Sequence, residues 1–413
     1  MKHIQTANNT DIYFIKSDKF KTFSVYFHFI TPLEKEGVSK NALFPFLLKQ
    51  GCEKYPDMKS INKQLQKYYG GIFDVSARKS GDNHIVNFRF EFLREKFCEK
   101  GHVQNVFEFI NDVLLKPLVK DGGFLEEYVE REKKNLIDYI NGIINDKREY
   151  TSVRLVEEMF KDDAYSLFEY GDIKILEKED GKSLYEQYKK VINTSPLTIF
   201  VHGDIDEASF TEYFNDLITK KRDAVTKTKL YDKNLEKPHI VKESQDVVQG
   251  KFALGFQTDI KSDSDDYYAL TLLNGVFGSG PTSKLFMNVR EKLSLCYYVY
   301  SRLNRQKGVM YISTGTDRDK FDAAYKEIFA QLEDCKKGNI SDDEIDYARK
   351  FLISVLKQTE DSQRSICEYY LTGKMAGRIL SPAEYIEALE KLKKEDLVCV
   401  ANKLKLQTEY YLQ

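Results

Sequence analysis

Residues 283–301 read Ser-Lys-Leu-Phe-Met-Asn-Val-Arg-Glu-Lys-Leu-Ser-Leu-Cys-Tyr-Tyr-Val-Tyr-Ser and follow a glycine-rich turn at residues 275–282. The apolar spacing in the first half of this stretch predicts a helix at Ser283–Lys292. The alternation in its second half predicts a strand at Tyr297–Leu303. A glycine turn, a helix and a strand in this order are typical of a mixed α+β unit.

The elements around this stretch repeat an order that already occurs in residues 20–147. In both places a strand precedes an apolar helix, a glycine turn, a second helix, two strands and two long helices. A shift of 224 residues superposes glycine on glycine and apolar residues on apolar residues: Gly51 on Gly275, Ile61 on Leu285, Leu65 on Val289 and Val75 on Val299. The sequence therefore predicts two copies of one α+β unit.

The predicted boundaries follow from composition. Residues 1–220 form the N-terminal half and residues 241–413 the C-terminal half. Residues 221–240 form a linker, because lysines are frequent there and apolar residues show no period. We expect this linker to be exposed and mobile, and the two halves to be separable at it.

The overall composition excludes several classes of protein. The 413 residues carry 63 Lys and Arg against 65 Asp and Glu, a formal charge of −2, which excludes a polybasic nucleic-acid binder. No apolar run approaches the ~20 residues that a membrane span needs. The first residues lack the apolar core of a signal peptide, so we expect a cytoplasmic protein with no membrane or nucleic-acid partner.

Neither cysteine nor histidine spacing forms a local metal motif. The six cysteines include no C-x-x-C pair, which argues against a zinc ribbon, a thioredoxin-type site and an iron–sulfur cluster. No two of the six histidines lie within one helical turn, as zinc hydrolases with paired imidazoles on a helix require. We interpret His28 and His202 as structural. The glycine-rich turn has Pro281 where a P-loop has lysine, so we expect no nucleotide site.

The stretch 283–301 resembles a signature of the insulinase-like (pitrilysin) zinc peptidases. That signature follows a glycine-rich turn and reads Ser-Arg-Leu-Phe…Val-Arg-Glu-Lys-Arg-Gly-Leu-Ala-Tyr-Ser-Val-Tyr-Ser. The shared positions here include Arg290, Glu291, Lys292, Leu295, Tyr297, Val299, Tyr300 and Ser301. The order of elements agrees from about residue 10 to the end. The resemblance implies two homologous α+β halves of the LuxS/metallopeptidase-like fold, which form a clamp.

The resemblance also implies a substrate-binding pair. In that family the C-terminal half supplies an arginine and a tyrosine to the substrate, and these fall on Arg290 and Tyr297. A guanidinium can bind a peptide carbonyl or carboxylate, and a phenol can donate to the oxyanion formed during peptide hydrolysis. The alternative is that Arg290 is a solvated residue at a helix end and Tyr297 an ordinary strand aromatic.

The first half departs from the family at the metal site. The family's His-x-x-Glu-His positions are occupied by Ala42, Pro45 and Phe46, none of which can bind zinc or act as a base. On the long helix predicted at about Phe124–Asp146, the earlier of the family's two glutamates matches Glu132. The later one, the third zinc ligand, falls on Tyr139. The resemblance therefore implies a chain without a metal or another cofactor, in which Glu132 is a remnant.

Within the family the sequence most resembles the zinc-less YmfF-type proteins of Gram-positive bacteria, whose companion is a zinc-bearing homologue. This implies a heterodimer in which the present chain is inactive alone. It would supply chamber wall, Arg290 and Tyr297 to a partner that cleaves peptides. Two alternatives stay open: a structural or peptide-binding scaffold subunit with no role in cleavage, and an autonomous peptidase with a relocated site.

Overall fold

The structure is a computed structural model and describes residues 1–233 and 235–413. The strands in these residues are β1 (Lys2–Gln5), β2 (Thr10–Ile15), β3 (Thr22–Pro32), β4 (Ile72–Ser80), β5 (Asn83–Leu93), β6 (Val119–Lys120), β7 (Gly123–Phe124), β8 (Leu197–His202), β9 (His239–Glu243), β10 (Gly250–Gln257), β11 (Tyr298–Asn304), β12 (Val309–Thr316) and β13 (Lys405–Leu412).

The α-helices in the same residues are α1 (Lys35–Gln50), α2 (Met58–Lys67), α3 (His102–Leu115), α4 (Glu126–Gly142), α5 (Lys147–Met159), α6 (Ile173–Leu176), α7 (Gly181–Thr194), α8 (Glu207–Tyr213), α9 (Asn215–Ile218), α10 (Asp266–Phe277), α11 (Phe321–Lys337), α12 (Asp342–Thr359), α13 (Gln363–Met375), α14 (Pro382–Glu390) and α15 (Lys394–Asn402). A π-helix spans Leu285–Lys292. Short 3₁₀ helices lie at Glu95–Phe97, Ile143–Asn145, Ala164–Ser166 and Arg318–Lys320.

The chain divides into two units by its internal contacts. The first unit consists of Met1–Gly142 and Leu167–Lys227, and the second of Ile143–Ser166 and Thr228–Gln413. Each unit has its own hydrophobic core, in which helices pack on a mainly antiparallel sheet. This arrangement confirms the α+β fold class predicted from the order of elements.

The two main sheets share one topology. In the first unit the strand order is β1-β2-β8-β3-β5-β4, and in the second it is β11-β12-β10-β13-β9. Each sheet contains five strands in which three antiparallel pairs are followed by one parallel pair. These strands are β4, β5, β3, β8 and β2 in the first unit, and β11, β12, β10, β13 and β9 in the second. This correspondence confirms the prediction of two related halves, and only the first sheet adds a further strand, β1.

Helix α5 does not follow the boundary that chain position suggests. The sequence-based halves assign it to residues 1–220, whereas its packing places it in the second unit with β10 and β13. A Cβ atom added at Gly255 would lie 2.5 Å from the sulfur of Met159. The Lys307 ammonium is fully buried and lies 2.9 Å from the carboxylate of Asp163. Tertiary contacts, which no local pattern encodes, assign this segment to the second unit.

The predicted linker is not exposed throughout. Arg222 is 5% exposed, and its guanidinium donates to the carbonyls of Ile192, Ser195 and Leu217. Burial lowers the pKa of Arg222 to about 10. Tyr231 is also buried, which corrects the expectation of a wholly exposed segment. A buried guanidinium needs hydrogen-bond acceptors, and the carbonyls that bind Arg222 hold this part of the chain in place. Residue 234 of the predicted linker lies outside the described residues.

Candidate functional site

Arg290 lies in the last turn of the π-helix. Its Nε donates a hydrogen bond to the carbonyl oxygen of Tyr297 at 3.0 Å, and its guanidinium lies 4.8 Å from the ring centroid of Phe286. Its Nη1 lies 3.2 Å from the carboxylate of Glu291, and the side chain is 40% exposed. One edge of the guanidinium is therefore fixed, while the group stays accessible to solvent.

Tyr297 directly precedes strand β11. Its backbone N–H donates to the carbonyl of Gly315 at 2.8 Å, which extends the pairing of β11 with β12 by one residue. The residue is 52% exposed. Its hydroxyl lies 3.0 Å and 3.3 Å from the two carboxylate oxygens of Asp317 and donates to that carboxylate.

The turn between the π-helix and β11 has a fixed conformation. Ser294 adopts a left-handed backbone with a φ of 49°. The hydroxyl of Thr316 donates to the carbonyl of Leu295. The ammonium of Lys320 lies 3.5 Å from the carbonyl of Ser294 and 3.6 Å from the carboxylate of Asp317. These bonds connect the residues after β12 to the turn that holds Tyr297.

The glycine-rich turn serves packing in the second unit. It follows helix α10, whereas a P-loop follows a strand. The N–H of Ser301 donates to the carbonyl of Gly278 at 3.0 Å, and its hydroxyl donates to the side-chain oxygen of Asn274 at 2.7 Å. A Cβ atom at Gly278 would lie 2.4 Å from the Ser301 hydroxyl oxygen. Only glycine therefore allows this close approach of the turn to β11.

The positions of the family's zinc motif lie on helix α1 of the first unit. Ala42 and Pro45 are buried, and Phe46 is half-buried against the hydrophobic core. Tyr139 on α4 is 47% exposed, and its ring packs edge-on against Tyr170 at 5.1 Å. A methyl group, a pyrrolidine ring and a benzyl group offer no lone pair to a metal, so these residues do not fit zinc.

Glu132 on α4 is bound within the protein. One carboxylate oxygen accepts a hydrogen bond from the amide of Gln50 at 2.8 Å and lies 3.4 Å from Nε of Arg131. Asn135 donates to the other oxygen at 3.4 Å. Within residues 1–233 and 235–413, no three His, Cys, Asp or Glu side chains are grouped so that they could hold a metal ion.

The two histidines interpreted as structural lie within the sheet of the first unit. His28 is fully buried on β3, and its Nδ1 lies 2.5 Å from the side-chain oxygen of Asn87. His202 ends β8, and burial lowers its pKa to about 4. Both rings therefore occupy packing positions, which agrees with the sequence-based interpretation.

The structure places Arg290 against the backbone of Tyr297, and it brings to the Tyr297 hydroxyl a residue that the sequence analysis did not indicate, Asp317. This residue lies twenty positions after Tyr297 in the sequence and directly after β12. The antiparallel pairing of β11 with β12 could have indicated it, since that pairing places the start of one strand beside the end of the other.

Comparison with known proteins gives a consistent result. Residues 179–352 match the family described as the peptidase M16 inactive domain. The chain is 30% identical to a Bacillus subtilis protein described as the probable inactive metalloprotease YmfF, over 97% of this chain and 94% of that protein. A crystal structure of a conserved protein from Enterococcus faecalis V583 superposes with a TM-score of 0.92 at 27% identity, covering 100% and 98% of the two chains.

A protease from Helicobacter pylori shares the fold at 16% identity. Its structure superposes with a TM-score of 0.81 and covers 100% of this chain and 99% of that one.

In the described part of the chain, no helix combines the length and the apolar character that a membrane span requires.

Proposed function

Because the chain belongs to the M16 (insulinase-like) peptidase family as a homologue of its inactive members, we propose that it is the non-catalytic subunit of a heteromeric peptidase. A zinc-bearing homologue is the partner and cleaves the peptide. This chain contributes part of the chamber wall together with Arg290 and Tyr297. The observation that carries the proposal is the 3.0 Å hydrogen bond from Nε of Arg290 to the backbone carbonyl of Tyr297, together with the exposure of both side chains to solvent.

The repeat supports a role for the pair beyond packing. The shift of 224 residues that relates the halves places Arg290 on Gln66 and Tyr297 on Phe73. Phe73 is 6% exposed and stacks on Phe90 with ring centroids 4.8 Å apart. The fold therefore accommodates a buried phenyl ring at this position, whereas Tyr297 presents a hydroxyl group to solvent.

The chemistry available to the pair suits a peptide. The guanidinium of Arg290 has further N–H groups beyond those facing Tyr297 and Glu291, and a planar donor group of this kind binds carbonyl or carboxylate oxygens. The phenol of Tyr297 can donate a hydrogen bond to an oxyanion. The metal-motif positions of this chain supply no metal ligand or catalytic base, so the hydrolytic groups belong to the partner.

The cysteines support a cytoplasmic location as part of the proposal. The six cysteines, Cys52, Cys98, Cys296, Cys335, Cys367 and Cys399, carry thiols that are not joined in disulfides, and four of them are buried. Reduced, buried cysteines are typical of proteins in a reducing compartment.

Reconstitution with the zinc-bearing M16 homologue from the same genome tests the proposal. Arg290→Ala and Tyr297→Phe should each lower peptidase turnover, by up to ~10²–10³ if each group acts as an oxyanion-hole donor does. Lys292→Ala, in the same helical turn, is the matched control and should retain activity. A pull-down should show that both variants still assemble with the partner.

The second candidate function is a scaffold subunit with no part in cleavage. Unchanged turnover in both Arg290→Ala and Tyr297→Phe would favour it. Loss of assembly in these variants would show that the pair serves packing, and would contradict the proposed role in substrate binding.

A further inference from the structure

The hydroxyl of Tyr297 has a single proton, and in this structure it donates a hydrogen bond to the carboxylate of Asp317. The phenol oxygen lies within 3.3 Å of both carboxylate oxygens, at 3.0 Å and 3.3 Å. An ionised carboxylate only accepts hydrogen bonds, so the phenol is the donor in both contacts. While this bond lasts, Tyr297 can accept a hydrogen bond from a substrate but cannot donate one to an oxyanion.

Asp317 is itself held in place. The ammonium of Lys320 lies 3.6 Å from its carboxylate and 3.5 Å from the carbonyl of Ser294. The N–H of Lys320 donates to the carbonyl of Asp317 at 3.0 Å, which closes a short turn after β12. The carboxylate is therefore a fixed acceptor beside Tyr297, since its own turn and the turn before β11 are bonded to each other.

We propose that Asp317 is a latch on Tyr297, by which we mean a competing hydrogen-bond acceptor. In the resting chain the Tyr297 hydroxyl donates to the Asp317 carboxylate, and in the complex with a reacting peptide it donates to the oxyanion instead. The inference rests on the proposed function. No proton is transferred: one O–H···O⁻ hydrogen bond is exchanged for another. Asp317 is a positioning residue, because it acts on the substrate only through Tyr297.

The exchange limits what Tyr297 contributes to the rate. A hydrogen bond from a neutral donor to a charged acceptor is stronger than one between neutral groups. The hydrogen bond to Asp317 must break before the Tyr297 hydroxyl can donate to the oxyanion. The free energy needed to break it offsets part of the stabilisation that Tyr297 gives to the transition state. Removal of the carboxylate should therefore increase the rate, and should do so only while the Tyr297 hydroxyl is present.

The test is a double-mutant cycle in the reconstituted complex with the zinc-bearing homologue, using an internally quenched fluorescent peptide that the complex cleaves. Asp317→Ala should raise kcat by about tenfold and leave KM nearly unchanged, because the oxyanion exists only in the transition state. Asp317→Asn should give a smaller increase, since its amide oxygen still accepts but carries no charge. Combined with Tyr297→Phe, either change should have no effect on kcat.

Two further variants separate the latch from other effects of the same turn. Asp319→Ala removes an exposed carboxylate two residues away and should leave kcat unchanged. Lys320→Met removes the ammonium that faces Asp317 and should not raise kcat, because the carboxylate remains beside Tyr297.

The outcomes distinguish the two proposals. If Tyr297→Phe lowers kcat but neither Asp317 variant raises it, the latch is overturned and the proposed function stands. If Tyr297→Phe leaves kcat unchanged, the latch is overturned, and if Arg290→Ala leaves it unchanged as well, the proposed function also fails. A lower kcat in Asp317→Ala that Asp317→Asn restores would show that a hydrogen-bond acceptor at this position supports the active geometry, which also overturns the latch.

Discussion

In the first unit, the side-chain amide of Gln50 donates a hydrogen bond to the carboxylate of Glu132, with 2.8 Å between the two atoms. Gln50 ends helix α1, and Glu132 lies in the second turn of α4, so the bond joins the two helices on which the positions matched to the family's zinc motif lie. Gln50 is buried, and its side-chain oxygen accepts from Arg131. A hydrogen-bonded network of neutral and charged side chains therefore connects these helices.

The purified chain should bind no stoichiometric zinc. Ala42, Pro45 and Phe46 offer no ligand atom, and the carboxylate of Glu132 is occupied by Gln50 and Arg131. Elemental analysis after dialysis against a chelator should find far less than one zinc per chain, with no difference between the native sequence and Glu132→Gln. One tightly held zinc that Glu132→Gln removes would contradict the assignment.

Limited trypsin digestion should cut first after Lys227 or Lys229, which are exposed and lie outside any helix or strand. The two fragments should nevertheless elute together from a sizing column. Helix α5 belongs to the N-terminal fragment by sequence but packs on β10 and β13 in the second unit, so cleavage leaves those contacts intact. Separate elution under native conditions would show that α5 is bound too weakly to hold the fragments.

Asp163→Ala should destabilise the second unit by about 3 kcal/mol, because it removes the carboxylate that faces the fully buried ammonium of Lys307. Chemical denaturation measures the loss. Asp162→Asn is the matched control, because the Asp162 side chain is 84% exposed and asparagine tolerates the left-handed backbone of this residue, whose φ is 76°. This change should alter the free energy of unfolding little. Recovery of most of the loss in Asp163→Ala combined with Lys307→Met would confirm that the uncompensated charge is the cause.

His84 should make the fold sensitive to acid. Burial lowers its pKa to about 4, below the 6.5 of an unfolded histidine, so the folded state favours the neutral ring. Its contribution to stability is complete above pH 6.5 and is lost as the pH falls from 6.5 towards 4. The free energy of unfolding should decrease by about 3 kcal/mol over this window through His84 alone.

Urea titrations at several pH values measure that slope. His84→Leu should make this slope shallower between pH 6.5 and 4, whatever the variant's stability at neutral pH, while His202 still contributes to it. His239→Gln, at a side chain that is 46% exposed, is the control and should leave the slope unchanged. An identical acid slope in His84→Leu and the native sequence would assign the acid sensitivity to other groups.

The sequence by itself determined the repeated α+β order and the strand positions around the signature. These features follow from short-range patterns, since alternation and glycine turns act within one or two elements. The choice of Arg290 and Tyr297 as substrate-binding residues came from the resemblance and stays a prediction. The loss of the zinc motif was also determined locally, because the side chains of Ala42, Pro45 and Phe46 lack ligand atoms wherever the helix lies.

Only the tertiary structure decided which distant groups meet. The helix predicted at about Phe124–Asp146 ends at Gly142, and α5 after it packs in the second unit. Arg222 is buried within a segment whose lysines indicated an exposed linker. The carboxylate of Asp317 accepts a hydrogen bond from the Tyr297 hydroxyl because β11 pairs with β12. The free energy of such contacts depends on which surfaces are brought together, and this depends on the whole chain.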